Sequence, residues 1–228
     1  MNYLKNNFVK SITHPEFVMK KIYILSFLAI SISISAQTFK VKAAGVKTFN
    51  FEDARGMNQV SFFSTMPLED ITGTGSALSG SITFDISNFA KTLKGKISVK
   101  VSSINTGIEL RNRHLQSANW LDASKYPDIT FEIISVSDVK HLADNRLEFK
   151  VKGNFSVHGI TKVVTTDADA TYLDESEQTA KRAPGDLLGV RAKFSINLSD
   201  FDIDNDLIGN KVAEKIDINV NIVGSSKL

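Results

Sequence analysis

The sequence predicts an all-β protein, a single antiparallel sheet of about eight strands folded into a sandwich or closed into a barrel, with one short helix at about 109–121. Three observations lead there. Apolar and polar residues alternate with a period of two along most of the chain, the mark of strands with one buried face. The links between these stretches are short, which favours antiparallel neighbours over crossovers. No internal repeat, low-complexity tract or Pro/Gly-rich linker interrupts the pattern, and only four Pro occur in 228 residues. That is chain enough for one sizeable core.

The N-terminus is set aside before any strand is assigned. From Met19 the chain reads Lys20-Lys21, an apolar run Ile22 to Ile34, then Ser35-Ala36-Gln37. A basic start, a short greasy middle and small residues at the exit describe a secretory signal over 19–36, cleaved near Ala36. The run is too short to span a bilayer as a helix. Residues 1–18 read as an upstream extension or an overcalled start, and 37–228 as one domain. The whole chain carries 27 Lys and Arg against 25 Asp and Glu. Residues 1–36 hold four Lys and Glu16, and without them the count is 23 against 24. The positive excess belongs to the leader, so nucleic acid is excluded as a partner class. There is no Cys, hence no disulfide and no lipid anchor through an N-terminal Cys; an exported chain of this kind folds by burial alone.

Strands are expected at Thr38–Lys42, Val46–Phe51, Asn58–Ser64 and Gly80–Ser87. "KISVKVS" (96–102) buries Ile97, Val99 and Val101 against Lys96, Ser98 and Lys100. Asp128–Val136 follows. "RLEFKVKGNFSV" (146–157) is the clearest strand, with Leu147, Phe149, Val151, Phe155 and Val157 on one face. Thr161–Tyr172, "VRAKFSINL" (190–198) and "KIDINVNIV" (215–223) complete the set. Turns are expected at Asn88–Gly95, Lys140–Asn145 and His158-Gly159, and "GTGSALSG" (73–80) reads as a turn that lacks the ending of a phosphate loop.

An eight-stranded barrel has an interior that side chains can fill or that can hold one small ligand; the pattern leaves both open. The inward faces supply Phe84, Ile97, Val99, Val101, Phe131, Phe149, Val151, Phe155, Phe194 and Ile196 as candidate lining for an apolar tail.

The stretch 104–136, "INTGIELRNRHLQSANWLDASKYPDITFEIISV", followed by "VKGNFSVHGITKVVT" (151–165) and "FSINLSDFDI" (194–203), resembles the YceI family of exported lipid-binding proteins. The resemblance covers roughly 58–224. It rests on Ile-x-Thr-Gly, Arg-x-x-His-Leu, an aromatic before Leu-Asp, Tyr-Pro-x-Ile-Thr-Phe and Gly-x-Phe-x-Val-His-Gly-Ile-Thr-Lys; it departs at Asn112, where the family usually has Asp. It implies a lipocalin-like antiparallel barrel of eight strands with a tunnel for a polyisoprenoid or similar amphiphile. The function expected is an exported carrier of a long-chain isoprenoid or fatty amphiphile, periplasmic or secreted, monomeric or homodimeric, with transient membrane contact. The alternative is a solid-core barrel acting as an interaction module of the envelope.

Arg111, Arg113, His114 and Trp120 are the candidate residues for the mouth. Either the Arg side chains meet a lipid phosphate with their planar forks, or a helix packed by Leu110, Leu115 and Trp120 carries Arg residues paired with Glu109 or Asp122. No cofactor or metal is expected. The four His are scattered without zinc spacing. Asp202, Asp204 and Asp206 alternate as in a calcium loop, but Leu207 and Ala213 stand where that loop requires glycine and glutamate. No nucleophile elbow or triad is evident, so the chain does not read as an enzyme.

Overall fold

The structure, a computed structural model, describes residues 38–53 and 56–227; the expected leader lies outside the described residues. Eleven strands form one sheet: β1 (Val46–Asn50), β2 (Gln59–Thr65), β3 (Asp70–Gly75), β4 (Leu78–Asp85), β5 (Lys94–Lys100), β6 (Ile104–Asn105), β7 (Asp128–Ala143), β8 (Arg146–Val157), β9 (Ile160–Leu173), β10 (Leu187–Asn197) and β11 (Lys215–Ser225). Eight close into an antiparallel barrel in the order β1-β4-β5-β7-β8-β9-β10-β11, sealed where Asn50 pairs with Ser225. β2, β3 and β6 branch from β11, with Asp217–Asn221 paired to Gln59–Phe63. The edge of β11 is therefore shared, by β1 at one end and by β2 at the other.

The alternation read from the sequence sets this register. Every inward residue of β8, Leu147 to Val157, is buried, and its polar neighbours are not. β8 and β9 meet at the two-residue turn His158-Gly159, both with positive φ, the geometry that matches strand twist.

Several elements differ from expectation. Thr38–Lys42 is not a strand; this segment crosses one end of the barrel, tied by Lys42 N and Ala43 N donating to Asp174, with Phe39 pushed into the core. Residues 73–80 are not a turn but the end of β3 and the start of β4, because Gly73, Gly75 and Gly80 pack where neighbouring strands approach. A Cβ on Gly73 would come within 2.3 Å of the Phe62 ring. The link expected as a turn at Asn88–Gly95 contains a helix, α1 (Phe89–Thr92). The helix expected over 109–121 is shorter, α2 (Glu109–Gln116), and irregular turns follow it. β10 pairs with β9 only over Leu187–Ala192; beyond that the strands part, Thr166 Oγ1 donates across the gap to the Lys193 carbonyl at 2.6 Å, and the turn Leu198–Phe201 follows. His158 Nδ1 donates to the Phe201 carbonyl at 3.0 Å, holding that turn in place.

Candidate functional site

The barrel interior is solid at one end and hollow at the other. At the closed end Phe39, Phe49, Phe84, Phe89, Phe149 and Tyr172 interlock, with ring centroids 5.1–5.7 Å apart. α1 points Phe89 inward, and the crossing segment adds Phe39 from outside the ring of strands. The Tyr172 hydroxyl, raised above its ordinary range by burial and by its neighbour's charge, donates to Asp186 Oδ2 at 2.7 Å. Burial pushes the Asp186 carboxyl up, but hydrogen bonds from Tyr172, Glu175 N and Lys47 Nζ outweigh it and hold the group below the usual carboxylate range.

From this plug towards the other end run two cavities. The inner one, about 120 Å³, is bounded by Phe89, Phe131, Phe149 and Phe194 among others. The outer one, about 420 Å³, widens towards α2 and the 203–212 loop. Val60, Val99, Ile129, Phe155 and Ile218 line both, so the two chambers abut at a waist formed by these side chains. The lining is almost entirely hydrocarbon, a surface that gains free energy by burying an apolar ligand at about 25 cal/mol per Å².

Polar groups gather at the mouth. α2 contributes Arg111 and His114, the β2–β3 loop Glu69, and the 203–212 loop Lys211. Arg111 Nη2 bridges to Glu69 Oε1 at 2.9 Å, clipping α2 to the β2–β3 loop. Asn112, the departure from the family's Asp, accepts from Thr106 N and Oγ1 at 2.8 Å, fixing the turn that feeds α2 where the N-cap Ile108 offers no side-chain acceptor.

Of the residues expected to line a tunnel, Ile97, Val99, Phe131, Phe149, Val151, Phe155 and Phe194 line the inner chamber, while Val99, Phe155 and Ile196 line the outer one. Phe84 and Val101 line neither. Phe84 faces inward but belongs to the closed-end plug, and Val101 falls beyond β5, where the chain turns out of strand register over Val101–Ser103. Of the mouth residues, Arg111, His114 and Trp120 line the outer chamber, whereas Arg113 is turned to Glu109 one helical turn away, at 2.6 Å. Trp120 is buried in the same apolar cluster as Phe155 and Leu198. The packing expected of Leu110 is not seen; it stays 54% exposed on the rim. Arg111 pairs with neither Glu109 nor Asp122 but with Glu69, a partner 42 residues away that no sequence spacing points to. Lys211 was missed for the same reason. Among the described residues no group of three or more His, Cys, Asp or Glu could hold a metal ion, and no helix is long and apolar enough to cross a membrane.

Residues 54–224 match the model of the YceI-like domain. The chain is 32% identical over 152 residues to Protein YceI of Escherichia coli O157:H7, covering 67% of this chain and 72% of that protein. Among solved structures it resembles BcnA of Burkholderia cenocepacia, with TM-score 0.58 and 20% identity over 73% of this chain and 95% of that one. A polyisoprenoid binding domain from Saccharophagus degradans superposes with TM-score 0.60 and 15% identity, over 79% and 99% of the two chains. At such identities these structures speak for the fold, a closed antiparallel barrel.

Proposed function

The chain belongs to the YceI-like domain family, and on that footing we propose that it is an exported carrier that holds the apolar tail of an isoprenoid or related amphiphile in its bore. The single observation that carries this reading is the two-chambered hydrocarbon cavity, open at the α2 end and stopped at the other. Burying a tail there contributes about 0.8 kcal/mol per methylene taken from water, offset in part by ordering the chain and by lost translational freedom. The naming of a structural neighbour as a polyisoprenoid binding domain supports the same ligand class. No bond is made or broken in this reading: Arg111, His114 and Lys211 at the rim orient a head group.

Export rests on the basic-apolar-small pattern of 19–36. Expression of the full chain in a bacterial host, followed by fractionation and N-terminal sequencing, should recover an extracytoplasmic product beginning at Gln37; retention of an intact N-terminus in the cytoplasm would refute export. For binding, an organic extract of purified protein analysed by mass spectrometry should contain a prenyl or fatty amphiphile. Added ligand at a hundred times its Kd should also raise the unfolding free energy by about 2.7 kcal/mol. An empty extract together with an unchanged melting curve across prenyl and fatty ligands would sink the carrier.

A further inference from the structure

Resting on the carrier reading, we infer that the tail is short, about 15–20 carbons or three to four prenyl units by the cavity scale below, and that a waist at Phe155, backed from the inner chamber by Phe194 and Phe131, sets this limit. This narrows the long-chain ligand suggested by the sequence.

An apolar protein cavity of about 150 Å³ holds one benzene, a scale of about 25 Å³ per carbon. On it the outer chamber, about 420 Å³, takes about 17 carbons and the inner, about 120 Å³, about five. Three prenyl units fill the outer chamber and a fourth reaches through the waist.

The waist is built to stay. Phe155 stands edge-on to Phe194 at 5.4 Å and to Phe201 at 5.6 Å, and Phe131 leans on Phe194 at 6.2 Å. Phe131 owes its position to Gly153, the inward residue of β8 between Val151 and Phe155. A Cβ at Gly153 would come within 2.4 Å of the Phe131 ring, so any larger residue would drive that ring away. Behind the inner chamber nothing yields. Phe89 abuts Phe149 and Phe84 at 5.1 Å each and Phe39 at 5.3 Å, and interiors packed this closely do not deform continuously. A longer tail must leave its remaining units at the mouth, in water or against the rim, where they add little.

The test is displacement of a bound fluorescent fatty-acid probe by geraniol, farnesol, geranylgeraniol and solanesol, which carry two, three, four and nine prenyl units. Affinity for the wild-type protein should rise roughly tenfold per unit up to geranylgeraniol and gain less than about twofold from there to solanesol. In Phe155→Ala, which widens the waist, and in the milder Phe194→Leu, the ratio of solanesol to geranylgeraniol affinity should rise, by roughly tenfold in the first. Circular dichroism and melting curves establish that each variant is folded. A wild-type protein that binds solanesol tenfold or more tighter than geranylgeraniol overturns the length limit while leaving the carrier reading intact. Folded variants with an unchanged ratio overturn the waist. Failure of the probe and of every prenyl alcohol to bind removes the carrier reading itself, and the length limit with it.

Discussion

The two ends of the barrel use the same kind of residue to opposite effect. At the closed end six aromatic rings fill the bore, and none of them is more than 4% exposed. At the open end apolar side chains of comparable size line a cavity instead of filling it. The difference lies in what covers each end. α1 turns Phe89 into the barrel and the crossing segment adds Phe39, so the closed end receives side chains from outside the ring of strands. α2 buries none of its residues and contributes only an edge, with Ile108 and Leu110 about half exposed. A sheet of this curvature leaves room for side chains or for one ligand; the short segments laid over its ends decide which. Stability should therefore reside at one end and binding at the other.

The sharpest way to break this contrast is to truncate one apolar residue at each end. Phe84→Ala, deep in the plug, should cost about 3–5 kcal/mol in denaturant unfolding, because the surrounding rings cannot collapse into the gap. Leu110→Ala, exposed on the rim, should stay within about 0.5 kcal/mol. Equal costs would mean that the plug is no more stabilising than the mouth.

Next in size is the polar support behind the plug. Asp186 takes hydrogen bonds from Tyr172, Glu175 N and Lys47, and its carboxyl is held below the ordinary range. Unfolded, the same group protonates near pH 3.9. As acid is added the unfolded chain takes up its proton first, so the contribution is complete above about pH 4 and is lost as pH falls through the lower folded value. Asp186→Asn should lower stability at pH 7 by about 1–3 kcal/mol, since it leaves Lys47 and the Tyr172 hydroxyl with a weaker acceptor. The gap between variant and wild type should narrow as the pH drops below about 4. A gap that stays constant from pH 7 to 3 would show that the charge of Asp186 plays no part.

The contrast between the ends also marks what the sequence could reveal. Strands with one buried face were legible because alternation is a local signal: β8 was located to the residue, and β9, β10 and β11 to within three residues at either end. The family was legible from motifs spaced over most of the chain. Which inward residues line a cavity was less so. Phe84 and Phe155 obey the same period, yet one sits in a plug and the other at a waist, because position along the barrel axis depends on shear and strand tilt and not on alternation. The cap at the closed end was missed because "SNFAKTLKG" is too short to show a helical period. Glu69 and Lys211 were missed because only the closed fold brings the β2–β3 loop and the 203–212 loop to α2. Asp70–Gly75, with two Gly and two Thr in six residues, carried too little apolar signal to read as a strand.

The smallest effect falls at the mouth and tests the contrast from its other side. Arg111 and Glu69 form an ion pair whose side chains are 26% and 65% exposed, so water and salt screen most of their attraction. Glu69→Gln should cost no more than about 1 kcal/mol, and the cost should shrink further at high ionic strength. The same pair is also the clip joining α2 to the β2–β3 loop over the bore. Its loss should speed escape of a bound fluorescent fatty acid in stopped-flow dilution while leaving the thermal melt nearly unmoved. A destabilisation above about 2 kcal/mol would place folding free energy at the open end, and the division between a stabilising plug and a binding mouth would not stand. Unaltered escape would show that the rim is held by Asn112 and the Thr106 turn, and that the mouth is a fixed aperture.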